Sequence, residues 1–237
     1  KLLARAVNCE HPVDGNPCND CMSCIGIENG SIPDVVELDA ASNNGVDNVR
    51  ALRDEAIFTP AAVKKRVYII DEVHMLSTSA FNALLKIMEE PPDHLIFILA
   101  TTEVHKIPAT ILSRCQRFSF KRVSPQSIMQ RLNFVAVQEK IDLTQEAAMQ
   151  LARLADGSLR DALSLLDQCA ATEDKIDTHL VDTLLGFSGT ARTMDLIKAI
   201  VGRDTAAALK MFDDVYTAGK DIAVVMDELG SLMRDLM

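Results

Sequence analysis

Between residues 34 and 102 the spacing of hydrophobic positions switches repeatedly between strand-like and helix-like. DVVELDA (34–40) is an apolar run of strand length, VDNVRALRDEA (46–56) reads as a helix, and VYIID (67–71) is apolar without alternation. Strands without alternation are covered on both faces, which predicts a parallel sheet flanked by helices. Ser77-Thr78-Ser79 then caps a helix whose Phe81, Leu84, Leu85 and Met88 follow i, i+3, i+4, i+7, and Pro91-Pro92 ends it. LIFILATT (95–102) is the next buried strand. KLLARAV (1–7) has helical spacing, with Leu2, Leu3, Ala6 and Val7 on one side. Strands alternating with helices predict an α/β fold with a parallel-sheet, three-layer core over 1–122.

Beyond Ser124-Pro125 the strand signals stop. The pattern predicts a small helical domain over 123–186, its last helix starting at Gly157-Ser158, where Gly suits a C-terminal cap and Ser the next N-cap. GFSGT (186–190) reads as a linker to further helices over 187–237. The final helix, from near Asp221, sets Ile222, Val225, Met226, Leu229, Leu232, Met233 and Leu236 on one stripe. That stripe either packs on its own chain or joins a helical collar. No cap precedes Lys1 and no helix-ending signal precedes Met237, so both ends are expected to be cut.

The cysteines change this picture at one place. Cys9, Cys18, Cys21 and Cys24 are spaced C-x8-C-x2-C-x2-C, with Gly15 and Pro17 favouring tight turns between them. Two-residue gaps let neighbouring thiolates turn onto one ion, so tetrahedral Zn2+ over 9–24 is the natural reading, with disulfides or free thiols as the alternative. Four protein ligands leave no open position, which makes the expected zinc structural. Cys115 and Cys169 stand apart and are expected to be packing residues.

Composition excludes more than it identifies. A net charge of −10 over 237 residues repels nucleic acid as a whole, so DNA contact requires a local basic patch. The chain has no Trp and two Tyr, little material for a base-stacking platform. No apolar run approaches the roughly 20 residues of a membrane span, and no leader pattern is present, so a cytoplasmic, non-membrane protein is expected.

The chemistry is expected where VYIID ends in Asp71-Glu72. Four apolar residues followed by Asp-Glu match the Walker B pattern, in which the Asp helps hold Mg2+ and the Glu orients the attacking water, though an isolated acidic strand end is as often merely solvated. Downstream come ATT (100–102), SRC (113–115) and GSLRDAL (157–163), in an order that resembles Walker B, sensor 1, arginine finger and sensor 2 of the AAA+ ATPases. The runs LDAASNNGVDNVR, DEVHMLS, FNALLKIMEEPP, ILATTE, IPATILSRCQRF and GSLRDALSLLDQ, with the four-cysteine insert, resemble the gamma/tau clamp-loader subunits of bacterial DNA polymerase III.

That resemblance implies a replication ATPase in a pentameric ring with delta, delta-prime and further gamma/tau copies. Such a ring uses ATP binding to open the sliding clamp and place it on primer–template DNA, and hydrolysis to release it. It implies that Asp71 coordinates Mg2+, Glu72 polarises water, Thr102 senses the γ-phosphate, and Arg160 closes the helical lid on its own subunit's nucleotide. Arg114 would reach the neighbouring subunit's site. Asn43, Arg50 and Lys86 would face DNA. Ser42, Asn43 and Asn44 are also expected to cap the following helix, and His74 to be a packing residue or hydrogen-bond partner.

One element of the family pattern is missing: no G-x-x-x-x-G-K-[ST] occurs in residues 1–237. By the resemblance Lys1 falls just past the phosphate-loop lysine and hydroxyl, so the chain is expected to be a fragment that lacks its phosphate cradle and is inactive alone. Two rival readings are a non-hydrolysing stator similar to delta-prime, usually degenerate at the acids that are intact here, and a purely structural oligomerisation module.

Overall fold

In the computed structural model the described residues are 1–172, 175–185 and 190–217, with positions 226, 229, 230 and 233 beyond them. They form two compact units, Lys1–Phe118 and Ser119–Met237.

The first unit is built on a sheet of three parallel strands, β1 (Val35–Asp39), β2 (Arg66–Asp71) and β3 (Leu95–Leu99), in the order β1-β2-β3. The central strand carries both cores. Its Tyr68 and Ile70 point into a cluster with Val49 of α3 (Val46–Ala56) and Ala80, Phe81, Leu84 and Ile87 of α4 (Thr78–Glu89). Its Val67 and Ile69 point the other way, onto Ala4 of α1 (Leu2–Asn8) and Ile27 of α2 (Met22–Glu28). This two-sided burial is why VYIID shows no alternation. The unit ends with the short α5 (Ala109–Leu112).

Caps and stops follow the sequence at several points. Ser77 accepts a hydrogen bond from the Ala80 amide at the start of α4, as its position before an amphipathic run predicts. Three expectations are corrected. First, Ser42, Asn43 and Asn44 do not cap α3, whose N-cap is Gly45 without a side-chain bond. Ser42 Oγ instead donates to Asp39 Oδ2 at 2.7 Å and Asn43 Nδ2 to the Asp39 carbonyl at 3.1 Å, because the carboxylate and carbonyl at the strand end are nearby acceptors for these short side chains. Second, α1 buries Ala4 and Asn8 while Leu2 and Leu3 stay exposed. Asn8 fixes that orientation by bonding both the amide (2.7 Å) and the carbonyl (3.0 Å) of Lys65. The cysteine segment also contains a helix that the spacing did not announce: Cys21 is the N-cap of α2 and Cys24 lies in its first turn.

The second unit is helical: α6 (Pro125–Glu139), α7 (Gln145–Leu154), α8 (Leu159–Ala170), α9 (Thr178–Leu184), α10 (Thr190–Val201) and α11 (Thr205–Thr217). Its core gathers Ile128, Leu132, Leu151, Leu166, Cys169 and Ile176. Cys169 is fully buried there and Cys115 packs against the first unit's core, and burial raises both thiols' pKa, as suits packing residues. Ser124 and Ser158 cap α6 and α8 through their hydroxyls. The third correction concerns Gly157: Ala155 is the C-cap of α7, and Gly157 occupies the left-handed turn that follows (φ +83). A Cβ at Gly157 would lie 2.5 Å from Arg122 Cβ, so glycine answers both the backbone and the space. The helix expected from Asp221 and most of the GFSGT linker lie outside the described residues.

Candidate functional site

The C-terminal ends of parallel strands are where α/β sheets bind ligands. Asp71 ends β2 with an exposed side chain, and its Oδ1 accepts the Glu72 amide at 3.0 Å. The chain then turns sharply: Glu72 is left-handed (φ 47, ψ 45), a conformation that costs a non-glycine residue roughly 1–2 kcal/mol. Hydrogen bonds hold that turn, from Val73 N to the Ala100 carbonyl (2.9 Å) and from Met75 N to the Glu72 carbonyl (2.8 Å).

This geometry delivers the Glu72 carboxylate to the end of the neighbouring strand. Glu72 Oε2 accepts from the Thr102 amide (3.3 Å) and the Thr102 hydroxyl (3.1 Å). His74 stands on the same side, with Nδ1 3.2 Å from Glu72 Oε2 and 3.0 Å from Thr101 Oγ1, and Nε2 3.1 Å from Glu103 Oε2. The Lys106 ammonium, 2.7 Å from Glu103, holds that carboxyl below the usual range, with further help from the two histidines beside it. Asp71, Glu72 and Thr102 are thus together, whereas the His74, Thr101 and Glu103 cluster was not legible in the sequence. Its members lie up to 29 positions apart and meet only through the β2–β3 register, Arg66 to Leu95 through Ile70 to Leu99.

Arg114 follows α5 and is held by the Thr110 carbonyl (2.7 Å) and Glu89 (2.9 Å). Arg160 is exposed in the first turn of α8, in the second unit. Lys86 is exposed on α4; Arg50 is exposed on α3 and paired with Asp47 at 3.1 Å; Asn43 lies in the turn after β1.

The four cysteines converge, with their sulfurs within 4.8 Å of one another. Zinc with about 2.3 Å bonds in a tetrahedron sets sulfurs about 3.8 Å apart, so the cluster needs only a small contraction. Amides already point at the sulfurs: Cys18 N to Cys9 (3.3 Å), Cys21 N to Cys18 (3.4 Å) and Cys24 N to Cys21 (3.4 Å). The Glu10 and Cys24 amides hold the Cys21 thiol down at about 6, while burial, with the neighbouring thiols adding to it, pushes Cys24 up to about 12. The Cys18 amide likewise lowers Cys9. Crowded thiols that cannot all ionise together fit a dication that would make them all thiolates. None of the four is paired in a disulfide, and together they make a site suited to a metal ion.

An unforeseen buried carboxylate fixes the other end of the sheet. Asp34, 2% exposed, accepts from the Ala61 (2.9 Å) and Ala62 (2.8 Å) amides and from Arg66 (2.8 Å). It pins the approach to β2 against the start of β1, and so supports the register that delivers Asp71 and Glu72.

Three families match the chain end to end. The one described as DNA polymerase III, delta subunit covers residues 1–124, the DNA polymerase III clamp loader subunit ATPase lid domain covers 127–174, and domain III of DNA polymerase III subunits gamma and tau covers 176–237. The DNA polymerase III subunit tau of Bacillus subtilis is 49% identical over 241 residues, spanning 100% of this chain and 42% of that protein. Its Escherichia coli counterpart is 41% identical over 239 residues, spanning 100% of this chain and 37% of that protein. The chain therefore spans less than half the length of these relatives. Among solved structures, a RuvB variant of Thermotoga maritima superposes with a TM-score of 0.55 at 15% identity, covering 75% of this chain and 62% of that one, which shows a shared fold. With family matches running from residue 1 to residue 237 and near-half identity to a tau subunit, the chain belongs to the gamma/tau family of DNA polymerase III clamp-loader subunits.

Proposed function

We propose that this chain carries the hydrolytic side of a clamp-loader ATPase site, in a protein that couples ATP binding to opening a sliding clamp and ATP hydrolysis to releasing it on primer–template DNA. The observation that carries the reading is the pairing of Glu72 with Thr102 beside Asp71, at the C-terminal ends of adjacent parallel strands. An exposed acid pair without a role is merely solvated; this one is held on a strained turn against a neighbouring strand's hydroxyl.

The residues fit a magnesium nucleotide in donor chemistry, since Asp71 offers a hard carboxylate oxygen at the strand end. Bound with Mg2+, ATP supplies the γ-phosphoryl group, with the metal offsetting its charge. Asp71 helps hold the metal. Glu72 orients the attacking water and takes up its proton at a carboxylate oxygen. Thr102 donates its hydroxyl to the γ-phosphate. Arg160 closes the lid onto the same nucleotide, and Arg114, released from Glu89, offers its guanidinium to the neighbouring subunit's nucleotide. Asn43, Arg50 and Lys86 are the proposed DNA-facing residues. The cysteine cluster holds one structural Zn2+. Partners are delta, delta-prime and further gamma/tau copies in a five-membered ring, with the clamp and primed DNA as its targets, in the cytoplasm. Among the described residues no helix is long and apolar enough to cross a membrane.

Residues 1–237 contain no G-x-x-x-x-G-K-[ST], and by themselves they are proposed to turn over little ATP, because that loop's amides and lysine provide much of the phosphate binding. A non-hydrolysing stator role has less support: the acid pair is intact, and the gamma and tau domain III match covers 176–237. The test is clamp release. In the assembled full-length complex, Glu72→Gln is expected to bind and open the clamp with ATP yet fail to release it on primed DNA. Clamp binding that does not depend on ATP would overturn the proposal.

A further inference from the structure

Glu72 is not free to move as a lone surface carboxylate. Its backbone is locked in the left-handed turn, and its Oε2 is engaged by the Thr102 amide and hydroxyl with the His74 ring alongside. Thr102 can give its hydroxyl to Glu72 or to a γ-phosphate, and one proton cannot serve both. When nucleotide takes that hydroxyl, the side-chain neighbour that remains to steer Glu72 is His74.

His74 is built to stay in place. Its side chain is 7% exposed and each ring nitrogen has an assigned neighbour. A proton on Nδ1 has Thr101 Oγ1 (3.0 Å) and Glu72 Oε2 (3.2 Å) in reach. Nε2 faces Glu103 Oε2 at 3.1 Å, so a ring that donates to both Glu72 and Glu103 carries a proton on each nitrogen, and Glu103 is itself tied to Lys106 at 2.7 Å and, through its own amide, to Thr101 Oγ1 at 3.0 Å. A ring fixed on one edge and facing the Glu72 carboxylate on the other has the geometry of an orienting group.

We infer that His74 is a positioning residue for Glu72: the ring anchored by Thr101 and Glu103 keeps the Glu72 carboxylate at the strand end after Thr102 turns to the γ-phosphate. The inference rests on the reading of Glu72 as the water-orienting group. It is a role beyond packing, because it depends on a donor at the Nδ1 position in particular.

Steady-state ATP turnover of the assembled full-length complex tests it. His74→Leu removes both polar edges and is expected to lower kcat about tenfold or more with KM kept within about twofold, since a misaimed carboxylate costs chemistry rather than binding. His74→Asn places an amide near the Nδ1 position and is expected to stay within about threefold of wild type. His74→Gln places its amide near Nε2, serves Glu103 instead, and is expected to fall as far as His74→Leu. Equal losses in His74→Asn and His74→Gln, or a change in KM alone, would overturn the inference. That comparison also decides the matter if His74→Leu does not fold. Glu72→Gln run in parallel separates the two layers: turnover retained there defeats the reading of Glu72 itself. Turnover lost there but kept in His74→Leu and His74→Gln defeats only the role of His74.

Discussion

Removing the Asp34 carboxylate should destabilise the first unit more than any surface substitution in it. Asp34 is 2% exposed and the Arg66 side chain 15%, and the two are 2.8 Å apart. Asp34→Ala leaves that guanidinium without its counter-ion, which costs about 3–5 kcal/mol for a buried pair. It also orphans the Ala61 and Ala62 amides, at about 1–3 kcal/mol each where water cannot replace the acceptor. Part of that penalty is relieved by relaxation of the 57–65 loop, so a total of about 4 kcal/mol is expected, or roughly 10–20 °C in the unfolding midpoint of this unit.

The pH dependence of the same group has a definite sign. Burial alone would push the Asp34 carboxyl up, but the Ala62 amide, the Arg66 guanidinium and the Ala61 amide outweigh it and hold it below the usual range. A carboxylate depressed on folding stabilises fully above its unfolded value near 3.9, and that contribution is lost as pH falls through the lower folded value. Asp34→Asn should therefore flatten the acid limb of stability below about pH 4 while lowering stability at neutrality. Urea melts of both variants across that range measure the effect. Adding Arg66→Met to Asp34→Ala should restore part of the loss, by removing the unpaired charge. A cost under about 1 kcal/mol for Asp34→Ala, or an unchanged acid limb, would refute the account of this pair.

Other expectations follow from single features. Gly157→Ala should cost about 2 kcal/mol or more in thermal unfolding of the second unit, since φ +83 alone disfavours a side chain and the Cβ would press on Arg122; a change within about 0.5 kcal/mol would contradict it. Protein purified reduced and without chelator should carry about one zinc per chain by elemental analysis, and its titration into the apo form should release protons at pH 7, because Cys24 at about 12 must give one up. Metal-free protein from such a preparation would reject the site. Arg114→Ala should lower ATP turnover of the assembled complex about a thousandfold while nucleotide binding by equilibrium titration stays close to wild type; unchanged turnover would remove Arg114 from the site.

What the sequence made legible was local. Ser77 and Ser158 were readable as helix caps because a cap bonds to an amide three positions on. The unbroken apolar run of β2 announced burial on both faces, and the cysteine spacing announced that the four sulfurs converge. What it concealed depends on contacts across the sheet. The ion pair of Asp34 with Arg66 spans 32 positions and exists only in the β1–β2 register, so neither residue looks different from a surface charge in the sequence. Ser42 and Asn43 were misjudged because the strand-end Asp39 competes for the same hydroxyl and amide. Glu72 was recognisable as an acid of the right motif, but its left-handed backbone and the anchored His74 beside it emerge only once β2 and β3 are aligned.

The central claim is that Asp71-Glu72 is the hydrolytic half of an ATP site. Its most direct test is ATP turnover by the full-length protein in its assembled complex, wild type against Glu72→Gln, with nucleotide binding measured on the same samples. The account predicts binding within a few-fold of wild type and turnover reduced at least about a hundredfold. Turnover unaffected by Glu72→Gln would contradict it.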